Sequence, residues 1–321
     1  MIFAMTGCAA SQVQAGAQTE PVNDIDRAAE SPLENSATEL QAPESQTAQT
    51  LNFLFFSDTQ ADPDTMDYSE FGELFKGALR RNDAADIIIY GGDTVNDGGN
   101  ETEWLNFIQE AGPVLGRVTT AAVVGNHDNY ALITEQFDHP SEAPGNPGDG
   151  YFYSFKMGAV FFIMLDSNIM GAANQSDIDW LRSELQGTQA RQADWRIAVM
   201  HHPMWPAADI PKDIQRAETM RGSFLPIMEE NGVDLILCGH QHIYARTLPM
   251  SGESAVSDGN GIIQIMAASG GKASYPAGAA DYIAAGDSAP NYISLAASCD
   301  SITVTAYSGM HIEIDSVTLR K

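Results

Sequence analysis

From residue 51 onward, apolar residues fall into short continuous runs separated by stretches of helical spacing. Leu51-Asn52-Phe53-Leu54-Phe55-Phe56, Asp86-Ile87-Ile88-Ile89-Tyr90, Ala121-Ala122-Val123-Val124, Arg196-Ile197-Ala198-Val199-Met200 and Asp234-Leu235-Ile236-Leu237-Cys238 each predict a strand. A strand covered on both faces has no solvent side, so its apolar residues do not alternate with polar ones. Residues 151–155 and 159–165 predict a hairpin or an adjacent pair. Between these runs, Met66, Phe71, Leu74, Phe75, Ala78 and Leu79 predict a helix over 66–81, and Trp104, Phe107 and Ile108 one over 101–111. A third is predicted over 219–230. Ser176-Asp177-Ile178-Asp179 predicts a helix start with Ser176 at the cap, and Ile178, Leu181 and Leu185 give its core stripe. Residues 261–268, 292–297, 301–307 and 312–319 then cluster Ile, Val, Thr and Tyr with no helix between them. The chain therefore reads as α/β: alternating β and α first, all β at the end.

The remaining stretches lack periodicity. Residues 9–49 are rich in Ala, Gln, Ser, Thr, Glu and Pro, too polar to repay their ordering entropy, and predict a solvated tether before a folded domain over 50–321. Residues 138–150 are Pro- and Gly-rich and predict a long loop. Met5-Thr6-Gly7-Cys8 resembles the lipobox of bacterial lipoproteins. With seven residues before Cys8 and no basic n-region, residues 1–8 would be a truncated signal. That resemblance implies lipidation at Cys8 and an extracytoplasmic protein tethered to a bacterial membrane. No run reaches the length of a transmembrane helix.

Charge narrows the chemistry. With 43 acidic against 16 basic residues, the formal net charge is −27. Such a surface repels nucleic-acid backbones, which argues against a nucleic-acid-binding surface. Phosphate chemistry here needs concentrated local positive charge, and bound metal ions supply it. Three cysteines make neither a disulfide framework nor a C-x-x-C site. Cys238 sits in an apolar run and is expected to pack as a small buried residue, with a bridge to Cys299 left open.

The five predicted strands end within a residue or two of Asp58, Asp93, Asn126, His201 and His240, with His242 two residues further on. Ligands in open α/β sheets bind outside the carboxyl ends of the strands. Taken singly, each has an ordinary alternative: a helix cap, a turn carboxylate, a satisfied histidine, or a Gly125-Asn126 turn. Together they form a mixed oxygen and nitrogen set suited to Mn, Fe, Zn or Co, with no thiolate.

Asp58-Thr59-Gln60, Gly92-Asp93-Thr94-Val95-Asn96, Gly125-Asn126-His127-Asp128, His201-His202-Pro203 and Gly239-His240-Gln241-His242 resemble, in order and strand context, the motifs of the calcineurin-like metallophosphoesterase superfamily, which includes purple acid phosphatases and cyclic-nucleotide phosphodiesterases. The resemblance implies a four-layer α/β/β/α sandwich of two packed mixed sheets, with the C-terminal strands completing the second. It implies hydrolysis of a small phosphate monoester or diester by a hydroxide bridging two metal ions. Asp58 and His242 would hold one ion, Asn126, His201 and His240 the other, and Asp93 both. Asn126 and His127 would also meet the substrate. His127 would serve the leaving group, with Asp128 fixing its tautomer. The rival is a non-catalytic surface-binding lipoprotein on the same scaffold.

Two residues depart from the pattern. Gln60 stands where the first motif usually has His, as a weaker ligand or a neighbour of one. Asn96 stands where a Tyr would colour a purple iron site. His202 is expected to point away from the metals or to line the pocket, and His139 and His311 to lie on the surface. Trp205, Tyr130 and Tyr244 would wall the cleft or pack in the core. Loops 59–66, 129–150 and 203–216 would select the substrate, and they offer no clamp for a second phosphate.

Overall fold

The continuous apolar runs become the inner strands of two stacked sheets in the computed structural model, which describes residues 50–137, 151–168, 173–257, 260–275 and 280–321. These belong to one contact unit, Gln46–Lys321. The lipobox-like residues 1–8 with Cys8, the stretch 9–49, and His139 with the loop 138–150 lie outside the described residues.

In chain order the elements are β1 (Leu51–Phe56), α1 (Ser69–Arg81), β2 (Ile87–Tyr90), α2 (Glu101–Leu115), β3 (Thr119–Ala122), α3 (Tyr130–Gln136), β4 (Tyr153–Met157), β5 (Val160–Leu165), α4 (Gln175–Leu185), α5 (Thr188–Arg191) and β6 (Trp195–Met200). There follow α6 (Pro211–Ser223), α7 (Leu225–Glu230), β7 (Leu235–Cys238), β8 (Tyr244–Thr247), β9 (Met250–Ser251), β10 (Ser254–Ala255), β11 (Ile263–Met266), β12 (Ile283–Asp287), β13 (Asn291–Ala297), β14 (Ser301–Ser308) and β15 (Glu313–Arg320). The first sheet runs β15-β14-β13-β1-β2-β3 and the second β12-β8-β11-β7-β6-β5-β4. Both are mixed: β1, β2 and β3 are parallel, as are β5, β6, β7 and β11, while β13 and β8 run antiparallel to their neighbours.

Side-chain alternation explains the layers. Phe53, Phe55, Ile87 and Ile89 of the first sheet meet Phe162, Met164, Ile197, Val199 and Leu237 of the second. Phe53 and Phe162 cross that interface edge to face, with ring centroids 5.3 Å apart. The intervening residues Leu54, Phe56, Ile88 and Tyr90 face Phe71, Phe75 and Phe107 of α1 and α2. Ile163, Ala198, Met200 and Ile236 likewise face Leu181, Met220 and Met228 of α4, α6 and α7. This is the expected four-layer sandwich, with both faces of each central strand covered.

The elements differ from expectation in several places. Helix α1 starts at Ser69, because Asp67 Oδ1 accepts from Ser69 N at 2.9 Å and Met66 has φ +50°. Helix α2 runs on to Leu115 through Pro113. The helix expected over 219–230 is two, α6 and α7, parted at Phe224, with Pro226 in the first turn of α7. Ser176 lies inside α4, and Asn174 takes the cap position. Helix α3 and strands β8 and β12 were not expected; they are short, with few large apolar residues to give a period. The C-terminal strands divide between the sheets. Strand β11 joins the second as expected, together with the unexpected β12, while β13, β14 and β15 extend the first, because β1 offers an open edge to β13.

Tyr244 packs in the core, and its hydroxyl donates to Asp315 Oδ2 at 2.6 Å. Arg246 grips the same carboxylate at 2.5 and 3.1 Å, so β8 of one sheet is tied to β15 of the other. Trp205 is also core, its indole donating to Gly252 O. His311 is half-buried against Tyr292 rather than free on the surface. Cys238 is buried as expected, and both Cys238 and Cys299 are free thiols. Among the described residues no helix is long and apolar enough to cross a membrane.

Candidate metal centre

Strands β1, β2 and β3 of the first sheet deliver Asp58, Asp93 and the 125–128 segment, while β6 and β7 of the second deliver His201, His240 and His242. Turning sharply at a strand end demands unusual backbone. Asp58, Asp93, His240 and His242 have φ of +49°, +53°, +74° and +50°. Side chains rarely adopt this left-handed region, and here four residues at one site do. Surrounding bonds hold them there: Asp58 N donates to Gly92 O at 3.0 Å, and His240 N to Asp58 Oδ2 at 2.8 Å.

The side chains converge. Asp58, Asp93 and His201 place ligand-type atoms all within 4.8 Å of one another. His201 Nε2 lies 3.3 Å from Asp93 Oδ2, His242 Nε2 3.5 Å from Asp58 Oδ1, and His240 Nδ1 3.3 Å from His201 Nε2. Each of these imidazoles is held from behind by its other nitrogen. His201 Nδ1 meets Gly91 O at 2.9 Å, His242 Nδ1 meets Ala273 O at 3.1 Å, and His240 Nε2 meets Asp213 Oδ1 at 3.0 Å. That is how metal-ligating histidines are oriented. Asp58 Oδ1 is buried with no hydrogen-bond partner. A buried carboxylate oxygen without a donor is costly unless a cation sits beside it, so these residues fit a metal. Asn126 is exposed.

Titration fits the same reading. Burial, with some repulsion from Asp93, pushes the Asp58 carboxyl up to about 7. Burial also works against ionised Asp93, but the charge and hydrogen bond of His201 outweigh it and hold that carboxyl well below the usual range. Burial opposes charge on His201 too, yet Asp93 and Asp58 hold its imidazole up to about 9. A metal must displace these protons. Metal affinity is therefore expected to rise with pH, by roughly tenfold per unit where only His201 still holds its proton and more steeply below the Asp58 value, where both protons must leave. Calorimetric titration of metal-free protein with Mn(II) between about pH 6 and about pH 8 checks this. An affinity flat across that range would show that His201 gives up no proton.

Asp128 does not meet His127 as expected. Its oxygens accept from the backbone N–H groups of Asp93, Thr94 and Gly125, each at 2.8 Å, so it braces the two turns. Burial, then Asp93, raises its carboxyl to about 6. His127 is instead fixed by Nδ1 against Asn96 O at 2.6 Å, and its backbone N–H donates to Asp93 Oδ1 at 2.9 Å. Glu103 Oε2 accepts from Asn96 N at 2.6 Å and so holds that carbonyl in place. Gln60 is buried and its amide is committed at both ends, Nε2 to Val95 O at 3.2 Å and Oε1 to Lys272 Nζ at 3.1 Å. His202 is buried with Nδ1 on Ser167 Oγ at 2.9 Å and Nε2 on the Arg216 guanidinium, while its ring packs on His240 at 4.2 Å. Tyr130 is 42 % exposed and donates to Asp166 Oδ2 at 2.7 Å.

Sequence reasoning missed Asp213, Glu103 and Lys272. The first two sit in the opening turns of helices, where a carboxylate is ordinary. Lys272 follows Gly270-Gly271, and only that Gly pair at a strand exit could have flagged a close backbone approach.

A family model described as calcineurin-like phosphoesterase matches residues 51–244. Purple acid phosphatase 23 of Arabidopsis thaliana is 26% identical over 151 residues, 44% of this chain and 32% of that protein. The chain thus spans about a third of the length of that relative. Purple acid phosphatase from yellow lupin seeds superposes with a TM-score of 0.70 at 16% identity, over 85% of this chain and 54% of that one. A dimetal phosphatase from Danio rerio superposes at 0.58 and 13% identity, over 84% of this chain and 98% of its own. At these identities the superpositions establish the fold.

Proposed function

This chain belongs to the calcineurin-like phosphoesterase family, and from that premise we propose that it hydrolyses esters of small phosphorylated molecules with two bound metal ions. The observation that carries the reading is the buried meeting of Asp58, Asp93 and His201 around a carboxylate oxygen that has no donor. Asp58 and His242 would hold one ion, Asn126, His201 and His240 the other, with Asp93 shared between them. Such ions supply Lewis acidity and a hydroxide nucleophile near neutral pH. The chain's own groups do the rest. Asp213, Gly91 O and Ala273 O fix the imidazoles. Asn96 O holds Nδ1 of His127, so that Nε2, 3.4 Å from Lys272 Nζ, is the nitrogen that would meet the leaving-group oxygen. Asp128 keeps the turns at 93–94 and 125 in register.

The test is an assay of metal-reconstituted protein on p-nitrophenyl monoester and diester substrates, with chelated protein and Asn126→Ala as controls. Turnover that needs metal and drops in the Asn126→Ala variant supports the reading. Metal bound without turnover on either substrate would favour the non-catalytic scaffold instead.

A further inference from the structure

We propose that Lys272 is a further substrate-contacting residue, whose ammonium holds an unesterified phosphoryl oxygen beside His127 and so favours esters that carry one there. This rests on the phosphoesterase reading above.

The lysine is built into the site rather than draped over it. Beyond β11 the chain runs along the segment that leaves β1. Ser269 N donates to Ser57 O at 2.8 Å, Gly270 N to Asp58 O at 2.9 Å and Lys272 N to Gln60 O at 3.2 Å. The two backbones touch: a Cβ on Gly270 would run into the carbonyl oxygens of Asp58 and Gln60. This lacing fixes the position of Lys272 relative to Asp58 and Gln60. Its Nζ then lies 3.1 Å from Gln60 Oε1 and 3.4 Å from His127 Nε2. The Gln60 Nε2 bond to Val95 O orients the amide so that its oxygen, not its nitrogen, is offered to the ammonium. A histidine in place of Gln60 would have no such acceptor oxygen.

Charge gives the second observation. The chain carries 43 acidic residues, yet among the described residues no carboxylate closes an ion pair with Lys272. Its two partners are a neutral amide and an imidazole nitrogen. A half-buried cation that Asp93, Asp58 and Glu103 attract without closing an ion pair, opening onto the same cleft as Asp58 and His242, is poised for an anion that enters from outside. A monoester has three unesterified oxygens and a double charge, whereas a diester has two and a single charge. An ammonium beside the metals therefore adds most to the monoester, and as a point charge it does so without demanding a planar partner.

The test uses metal-reconstituted protein and two substrates with one leaving group, p-nitrophenyl phosphate and methyl p-nitrophenyl phosphate. For Lys272→Ala and Lys272→Met, kcat/KM on the monoester is expected to fall ~10–100-fold, the loss of one charge-assisted hydrogen bond. On the diester it should change by less than ~threefold, so the monoester-to-diester ratio collapses. Lys272→Arg should keep most of the ratio. Metal content and thermal melting are measured alongside; if Lys272→Ala fails to fold, the isosteric Met variant and the Arg variant decide. Equal losses on both substrates, or no loss on either, overturn the inference while wild-type activity leaves the phosphoesterase reading intact. A wild type that cleaves neither substrate overturns both.

Discussion

Changing Asp93 to Asn is expected to strip bound metal and to lower kcat/KM on p-nitrophenyl phosphate by roughly a thousandfold, since several kcal/mol of charge stabilisation are lost at about 1.4 kcal/mol per tenfold. Asp93 is where the two halves of the site meet. Its Oδ2 faces His201 Nε2 at 3.3 Å, its Oδ1 accepts from His127 N at 2.9 Å, and its own N–H donates to Asp128. The amide retains an oxygen for the His127 bond, so the turn survives. What disappears is the negative charge that would be shared by both ions and that holds His201 as it stands. Metal analysis of the purified variant and its rate are the two readings. Full metal content with unchanged turnover would remove Asp93 from the centre.

The second large effect is at His127. Ala in its place is expected to lower kcat by about 10²–10⁴, the usual contribution of a positioned proton donor, with metal content unchanged. The loss should be larger for an alkyl phosphate than for p-nitrophenyl phosphate, because a poor leaving group depends more on the proton. The ring is placed for this by Asn96 O on Nδ1, and Asn96 is held in turn by Glu103. Equal losses on both leaving groups would assign His127 to binding alone.

The strand exits were legible because covered parallel strands write themselves as unbroken apolar runs, and side chains just past their ends must converge. Phe53 and Leu54 face opposite layers, and both layers are apolar, so the run shows no gap. Asp58, Asp93, His201, His240 and His242 could be found this way. What could not be found depended on backbone paths between strands. The partner of Asp128 looked like its neighbour His127, yet three N–H groups from two turns reach it first. Tyr244 and Trp205 lie near the motifs in sequence but point into the core, which only the sheet packing decides. Lys272 is far from every motif and reaches the site through a glycine pair with no period of its own.

The division of the centre between two sheets also sets when it can exist. Residues up to Asp128 supply one half and residues from His201 onward the other, and β1 has one edge unpaired until β13 has been made. A chain emerging from the ribosome therefore carries half-sites that cannot enclose an ion until the second half arrives. An ion held by residues of both halves is therefore expected to bind after the two sheets have met, not to seed their folding.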